Sequence, residues 1–139
     1  MPQAIQVGGA AVDLSPRYFY TEAVTGSPAA ATETIIATLA VRGDLAVMEG
    51  VRLACYCAFT AGTDGASAVL RIRQTDASGT VIKASGAVNV TAANLYDRCI
   101  FGVDEAAALP NQVYVATLTV ASASAASTVS AVILDALVI

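Results

Sequence analysis

The chain has no histidine and no tryptophan, its single lysine is Lys83, and charged residues make up only 13% of its 139 positions. Without an imidazole there is no Ser-His-Asp triad, no Cys-His pair and no histidine metal ligand. Ser-Lys chemistry would have to use Lys83, which sits in a strand-like segment with nothing nearby in sequence to mark it. Carboxylates are scattered singly, apart from Asp104-Glu105. Adjacent side chains point in different directions, so that pair is not a ready-made acid–base couple. The chain therefore reads as a non-enzyme.

Cofactor and metal signals are equally thin. Cys55-x-Cys57 and Cys99 are the three cysteines. A closed zinc site takes four ligands, and no fourth is in view. Cys55 and Cys57 share one face of a strand, which is poor geometry for a disulfide between them. They read, with Cys99, as small buried hydrophobes made in a reducing cytoplasm. Met1-Pro2-Gln3-Ala4-Ile5-Gln6 lacks the basic and apolar regions of a signal peptide. No Gly-rich phosphate loop or calcium-loop pattern appears, so no cofactor is expected.

Net charge is −4, from seven Lys plus Arg against eleven Asp plus Glu. The close basic pair, Arg71 and Arg73, reads as a solvated strand face. Nucleic-acid binding needs clustered cations that displace counterions from phosphates, and no such cluster exists.

What the chain does have is apolar and small. The hydrophobic fraction is 56%, with Ala, Val, Ser and Thr where charges usually stand. Such a surface packs well against copies of itself. The stretch from Ala106 to Leu134 carries no charge, yet Pro110, Asn111, Gln112 and the serines from Ser122 to Ser130 are unsuited to a lipid-facing helix. Its β-branched residues, among them Val113, Val115, Val120, Val129 and Ile133, read as two strands, Gln112–Ser122 and Thr128–Ile139. Strands this poor in charge are expected to have both faces covered, one by the domain's own core and one by another chain.

Two textures divide the chain. Residues 1–32 are rich in Gly, Ala and Pro and read as an extended N-terminal arm. Within it Arg17–Thr21 contains Tyr18, Phe19 and Tyr20, either an anchor for a neighbouring surface or a strand that closes a sheet. Residues 33–139 read as strand, turn, strand. The expected strands are Thr34–Val41, Gly50–Thr60, Ala68–Gln74, Thr80–Ala84, Ala87–Val90 and Leu95–Val103, followed by the two long ones. In Gly50–Thr60 the alternation puts Val51, Leu53, Cys55, Cys57 and Phe59 on one face. Asp104–Leu109 is the one helix-permissive stretch outside the turns. About eight antiparallel strands at short spacing predict an all-β, jelly-roll-like sandwich.

Two short motifs carry little. Arg42-Gly43-Asp44 matches an integrin-binding tripeptide that arises easily by chance, and Gly43 also serves a turn there. Asn89-Val90-Thr91 fits a glycosylation acceptor but lacks a secretion signal beside it.

Several segments together resemble bacteriophage virion β-sandwich proteins of the capsid decoration and head-fibre type. They are Thr34–Val41, Met48–Leu53 as a Gly-led second strand, Val69–Arg73 after a Gly-containing turn, and Val113–Val120 before a closing apolar strand. The resemblance covers about residues 33–139 and implies a sandwich that assembles, often as a trimer, and adheres instead of catalysing. It implies a cement protein made in the host cytoplasm and bound to the major capsid protein on the capsid exterior, without membrane or nucleic-acid partners. The arm residues Tyr18, Phe19 and Tyr20 are the expected contact with capsid or protomer. The alternative is a receptor- or glycan-binding fibre head, with Tyr56, Tyr96 and Tyr114 as ligand-face aromatics.

Overall fold

The computed structural model describes residues 4–7, 10–13, 18–23, 33–41, 50–60, 66–90, 95–105, 112–121 and 128–139. Its strands in chain order are β1 (Ala4–Val7), β2 (Ala10–Asp13), β3 (Tyr18–Ala23), β4 (Thr34–Val41), β5 (Val51–Thr60), β6 (Ala66–Gln74), β7 (Val81–Ala84), β8 (Val88–Val90), β9 (Leu95–Asp104), β10 (Gln112–Ala121) and β11 (Thr128–Val138). All eight strands expected after residue 32 are present, each within two residues of its expected ends. β1 and β2 pair with each other. The rest form two antiparallel sheets, β4-β10-β6-β7 with β8 also on β6, and β3-β11-β5-β9. Stacked face to face, they make the expected jelly-roll-like sandwich.

The core lies between the sheets and follows the two-residue period of the strands. One sheet contributes Leu39, Val41, Leu70, Ile72, Tyr114 and Leu118, and the other Val51, Leu53, Phe59, Val132, Leu134 and Val138. A bulge at Ser130 switches the phase in β11, so Val129 and Val132 both point inward. The sandwich closes along its sides where β3 lies against β4 and β7 against β9. At the second seam a Cβ on Gly102 would stand 3.0 Å from Lys83 Cβ and 3.2 Å from Ile82 Cγ2, so glycine allows the close approach.

The aromatic segment forms one of the two arrangements offered for it, the sheet-closing strand: β3 pairs with β11 from Leu137↔Tyr18 to Val132↔Ala23. Three other expectations change. First, β10 is covered on both faces by its own chain, since Val115 and Thr117 on its second face are 1% and 0% exposed. The reason is the polar layer beside it. Arg73 pairs in register with Val115, and Arg71 with Thr117. Arg73 binds Glu33 through Nε–H to Oε1 at 2.7 Å and a second N–H to Oε2 at 3.0 Å. Thr117 donates to the same carboxylate at 2.6 Å, and Arg71 reaches Thr119 Oγ1 at 3.1 Å. The two arginines are thus not a freely solvated face; hydrogen bonds to Glu33 and Thr119 tie them into this layer. Finally, Cys55 and Cys57 are buried as expected, but Cys99 is exposed because its phase on β9 points away from the core.

Arg42-Gly43-Asp44 and most of Asp104–Leu109 lie outside the described residues; Asp104 itself ends β9.

Candidate functional site

One face in the described structure stays strongly apolar without cover, the outer side of β3-β11-β5-β9. Register fixes its layout. One row across the four strands reads Tyr18, Leu137, Arg52, Val103; the next reads Tyr20, Asp135, Ala54, Phe101; the third reads Glu22, Ile133, Tyr56, Cys99. Phe101 is 68% exposed, Tyr20 61% and Tyr18 55%. Leu137, Val103 and Ile133 are exposed as well, and Leu95 continues the face along β9. Nonpolar side chains thus occupy most of a flat surface that water covers in an isolated chain, a costly arrangement at roughly 25 cal/mol per Å².

The small side chain of Ala54 leaves a hollow in the second row. A groove of about 430 Å³ results, bordered by Tyr18, Leu137, Phe101 and Val103, with Arg52 and Asp135 as its charged groups. Tyr18 donates its hydroxyl to Asp135 Oδ2 at 2.9 Å. That bond holds the phenol proton and raises its pKa above the ordinary value, with the carboxylate's charge adding to the effect. Tyr18 and Tyr20 stack along β3 with ring centroids 6.2 Å apart. The groove can grip an apolar side chain or a flat ring, and its two charges can orient what sits there.

The expected site residues divide between the two sides of this sheet. Tyr18 and Tyr20 stand on the open face, while Phe19 alternates inward and packs against the core. Tyr56 is half-buried within the third row. Tyr96 faces the interior and meets Phe59 at 6.2 Å. Tyr114 is wholly buried and donates to Asp104 Oδ2 at 2.7 Å, an oxygen that also accepts from Gln74 at 2.6 Å. Burial and that hydrogen bond push the Tyr114 phenol upward. Tyr114 is thus closed to a ligand, and Tyr96 lies on the core side of its sheet, partly buried. Arg52, Phe101, Val103, Asp135 and Leu137 were not singled out by sequence. Their signal was faint: β9 and β11 carry apolar residues in both phases of the alternation.

Among the described residues, no group of three Cys, Asp or Glu is placed to hold a metal ion, and no helix is long and apolar enough to cross a membrane.

No protein-family model matches the sequence, and no curated relative does. Solved structures do match in shape. T=1 particles derived from infectious bursal disease virus superpose with a TM-score of 0.64 at 8% identity, over 99% of this chain and 36% of that one. The VP2 subviral particle of the same virus gives 0.61 at 9% identity, over 99% and 38%. The T13 particle of that virus gives 0.51 at 7% identity, over 99% and 36%. This chain thus spans little more than a third of those capsid chains. At such identities the likeness is one of fold, a β-sandwich shared with viral capsid proteins.

Proposed function

We propose that this chain is a non-enzymatic virion structural protein, a decoration or cement protein that binds the outer capsid surface, contacts the major capsid protein and works as a homo-oligomer. The observation that carries the reading is the broad uncovered apolar face of β3-β11-β5-β9 among the described residues. The fold shared with viral capsid proteins supports it. Four of the described carboxylates support a non-catalytic role, because they are engaged in structure: Glu33 with Arg73, Asp104 with Tyr114 and Gln74, Asp76 with Ser78, Asp135 with Tyr18. The mechanism is physical. Apolar area buried between subunits contributes roughly 25 cal/mol per Å². Repeated over one shell, modest contacts add into an avidity that resists internal pressure. Particles lacking the chain should release DNA at a lower temperature than particles to which it has been added back. Equal release temperatures with and without bound protein would remove the cement role.

A second reading, the receptor- or glycan-binding head of a fibre, is favoured by the groove itself. Tyr18 and Phe101 offer ring faces, and Arg52 and Asp135 offer hydrogen-bonding groups, a set suited to a sugar. A glycan array with the wild-type chain and a Tyr18→Ala, Phe101→Ala variant separates the readings. Signal on defined glycans that the variant loses would favour the fibre head.

A further inference from the structure

We infer that the occupant of the open β3-β11-β5-β9 face is a second copy of this chain, with the groove over Ala54 at the contact. The inference sharpens the homo-oligomer part of the reading above and rests on it, but it is tested without a capsid.

Area comes first. Four strands about 4.8 Å apart, advancing about 3.4 Å per residue, give a face of roughly 500–600 Å² in projection. Two such faces bury about 1,000–1,200 Å² together, which meets the roughly 1,000 Å² that a specific interface requires. Composition comes second. The face carries Tyr18, Tyr20, Tyr56, Phe101 and Arg52, residue types that dominate binding energy at interface centres, and no lysine. Its rings stand proud beside a hollow, so a ring from one copy has a place to enter on the other.

Charge favours a copy over a foreign surface of one sign. Arg52 and Asp135 sit on neighbouring strands, one row apart, and form no ion pair with each other. A partner surface of a single sign would meet one of them with like charge, which is costly when desolvated. A second copy presents both signs, so the guanidinium and the carboxylate can each meet an opposite charge.

The same face holds its own reporter. Cys99 is exposed in the third row beside Tyr56, whereas Cys55 and Cys57 are buried in the core. A maleimide reacting with the native chain therefore reports cover over the face. The experiment uses the full chain in four forms: wild type, Phe101→Asp, Leu137→Glu, and Ile35→Asp as a control at an exposed apolar position on the other sheet. Light scattering after size exclusion reads mass, maleimide labelling reads Cys99, and circular dichroism checks that each variant is folded. The expected wild-type mass is an integral multiple of the chain mass, kept by Ile35→Asp and falling to one chain in Phe101→Asp and Leu137→Glu. Cys99 labelling should then accelerate at least tenfold in those two variants. A monomeric wild type overturns the inference, as does an oligomer that both face variants leave intact with unchanged labelling. Capsid binding is read separately: an oligomer broken by the face variants that never binds particles keeps this inference and sinks the decoration role.

Discussion

Replacing Tyr114 by Phe tests the most demanding piece of interior chemistry. The change removes one hydroxyl and leaves the ring in the core cluster, so no sizeable cavity opens. What is lost is the 2.7 Å bond to Asp104, a carboxyl group only 4% exposed. A hydrogen bond to a charged group contributes about 1.5–3 kcal/mol. Gln74 still donates to the same oxygen at 2.6 Å, so the lower part of that range applies, about 1.5–2 kcal/mol. Unfolding entropy near 2.1 cal/mol/K per residue gives about 0.3 kcal/mol/K for a chain of this size. The expected fall in Tm is therefore about 5–7 °C, read by calorimetry at neutral pH and fixed protein concentration. A cycle with Asp104→Asn should return most of the loss as coupling between the two residues. A shift below about 2 °C, or no coupling, would refute the view that this bond ties the end of β9 to β10.

Three further outcomes follow from the same structure. Burial pushes Cys57 up to about 12 and also raises Cys55, while Tyr114 is raised by burial and Asp104. The unfolded chain releases these protons near the ordinary 9.0 and 10.0, so stability is full below pH 9 and declines above it, by up to about 1.4 kcal/mol per pH unit per group. Urea midpoints from pH 8 to 11 should show this, and Cys55→Val with Cys57→Val should flatten the part between pH 9 and 10. On the acid side, the Arg73 guanidinium holds Glu33 below its ordinary value, so its contribution is present above pH 4.5 and fades as pH falls. Glu33→Gln should cost about 1 kcal/mol at pH 7, a cost that shrinks as pH falls below 4.5, again in urea. Thr75 sits at φ 71°, in the left-handed region that a β-branched residue occupies at a cost of about 1–2 kcal/mol. Thr75→Gly should raise Tm by about 2–3 °C after glycine's entropy is counted, and a lower Tm would contradict the strain.

The strands were legible because turns and alternation agreed. Val51 to Phe59 announces its buried face at every second residue, and the glycine and aspartate clusters mark where chains reverse. The polar layer beside β10 was not legible, because Glu33 and Arg73 lie 40 positions apart and only the β10–β4 and β10–β6 registers bring them together. The candidate site failed for a related reason. In β9 the phase Leu95, Asp97, Cys99, Phe101, Val103 and the phase Tyr96, Arg98, Ile100, Gly102, Asp104 are comparably mixed, so periodicity cannot say which faces water. Packing decides: β7 presses on the Gly102 phase, which leaves Phe101 and Cys99 outside. Tyr114 belongs to the opposite case, since its phase with Ala116, Leu118 and Val120 pointed inward and would have argued against a ligand-face role.

The proposed role on a viral shell is tested most directly by copy number. Particles purified from cells that produce this chain, stripped of loose protein by a density gradient, can be quantified by mass spectrometry against the major capsid protein. The chain should be present at a fixed whole-number ratio to capsid subunits, with Phe101→Asp and Leu137→Glu reducing its occupancy. Absence of the chain from such particles, or a trace level unrelated to subunit number, would contradict it.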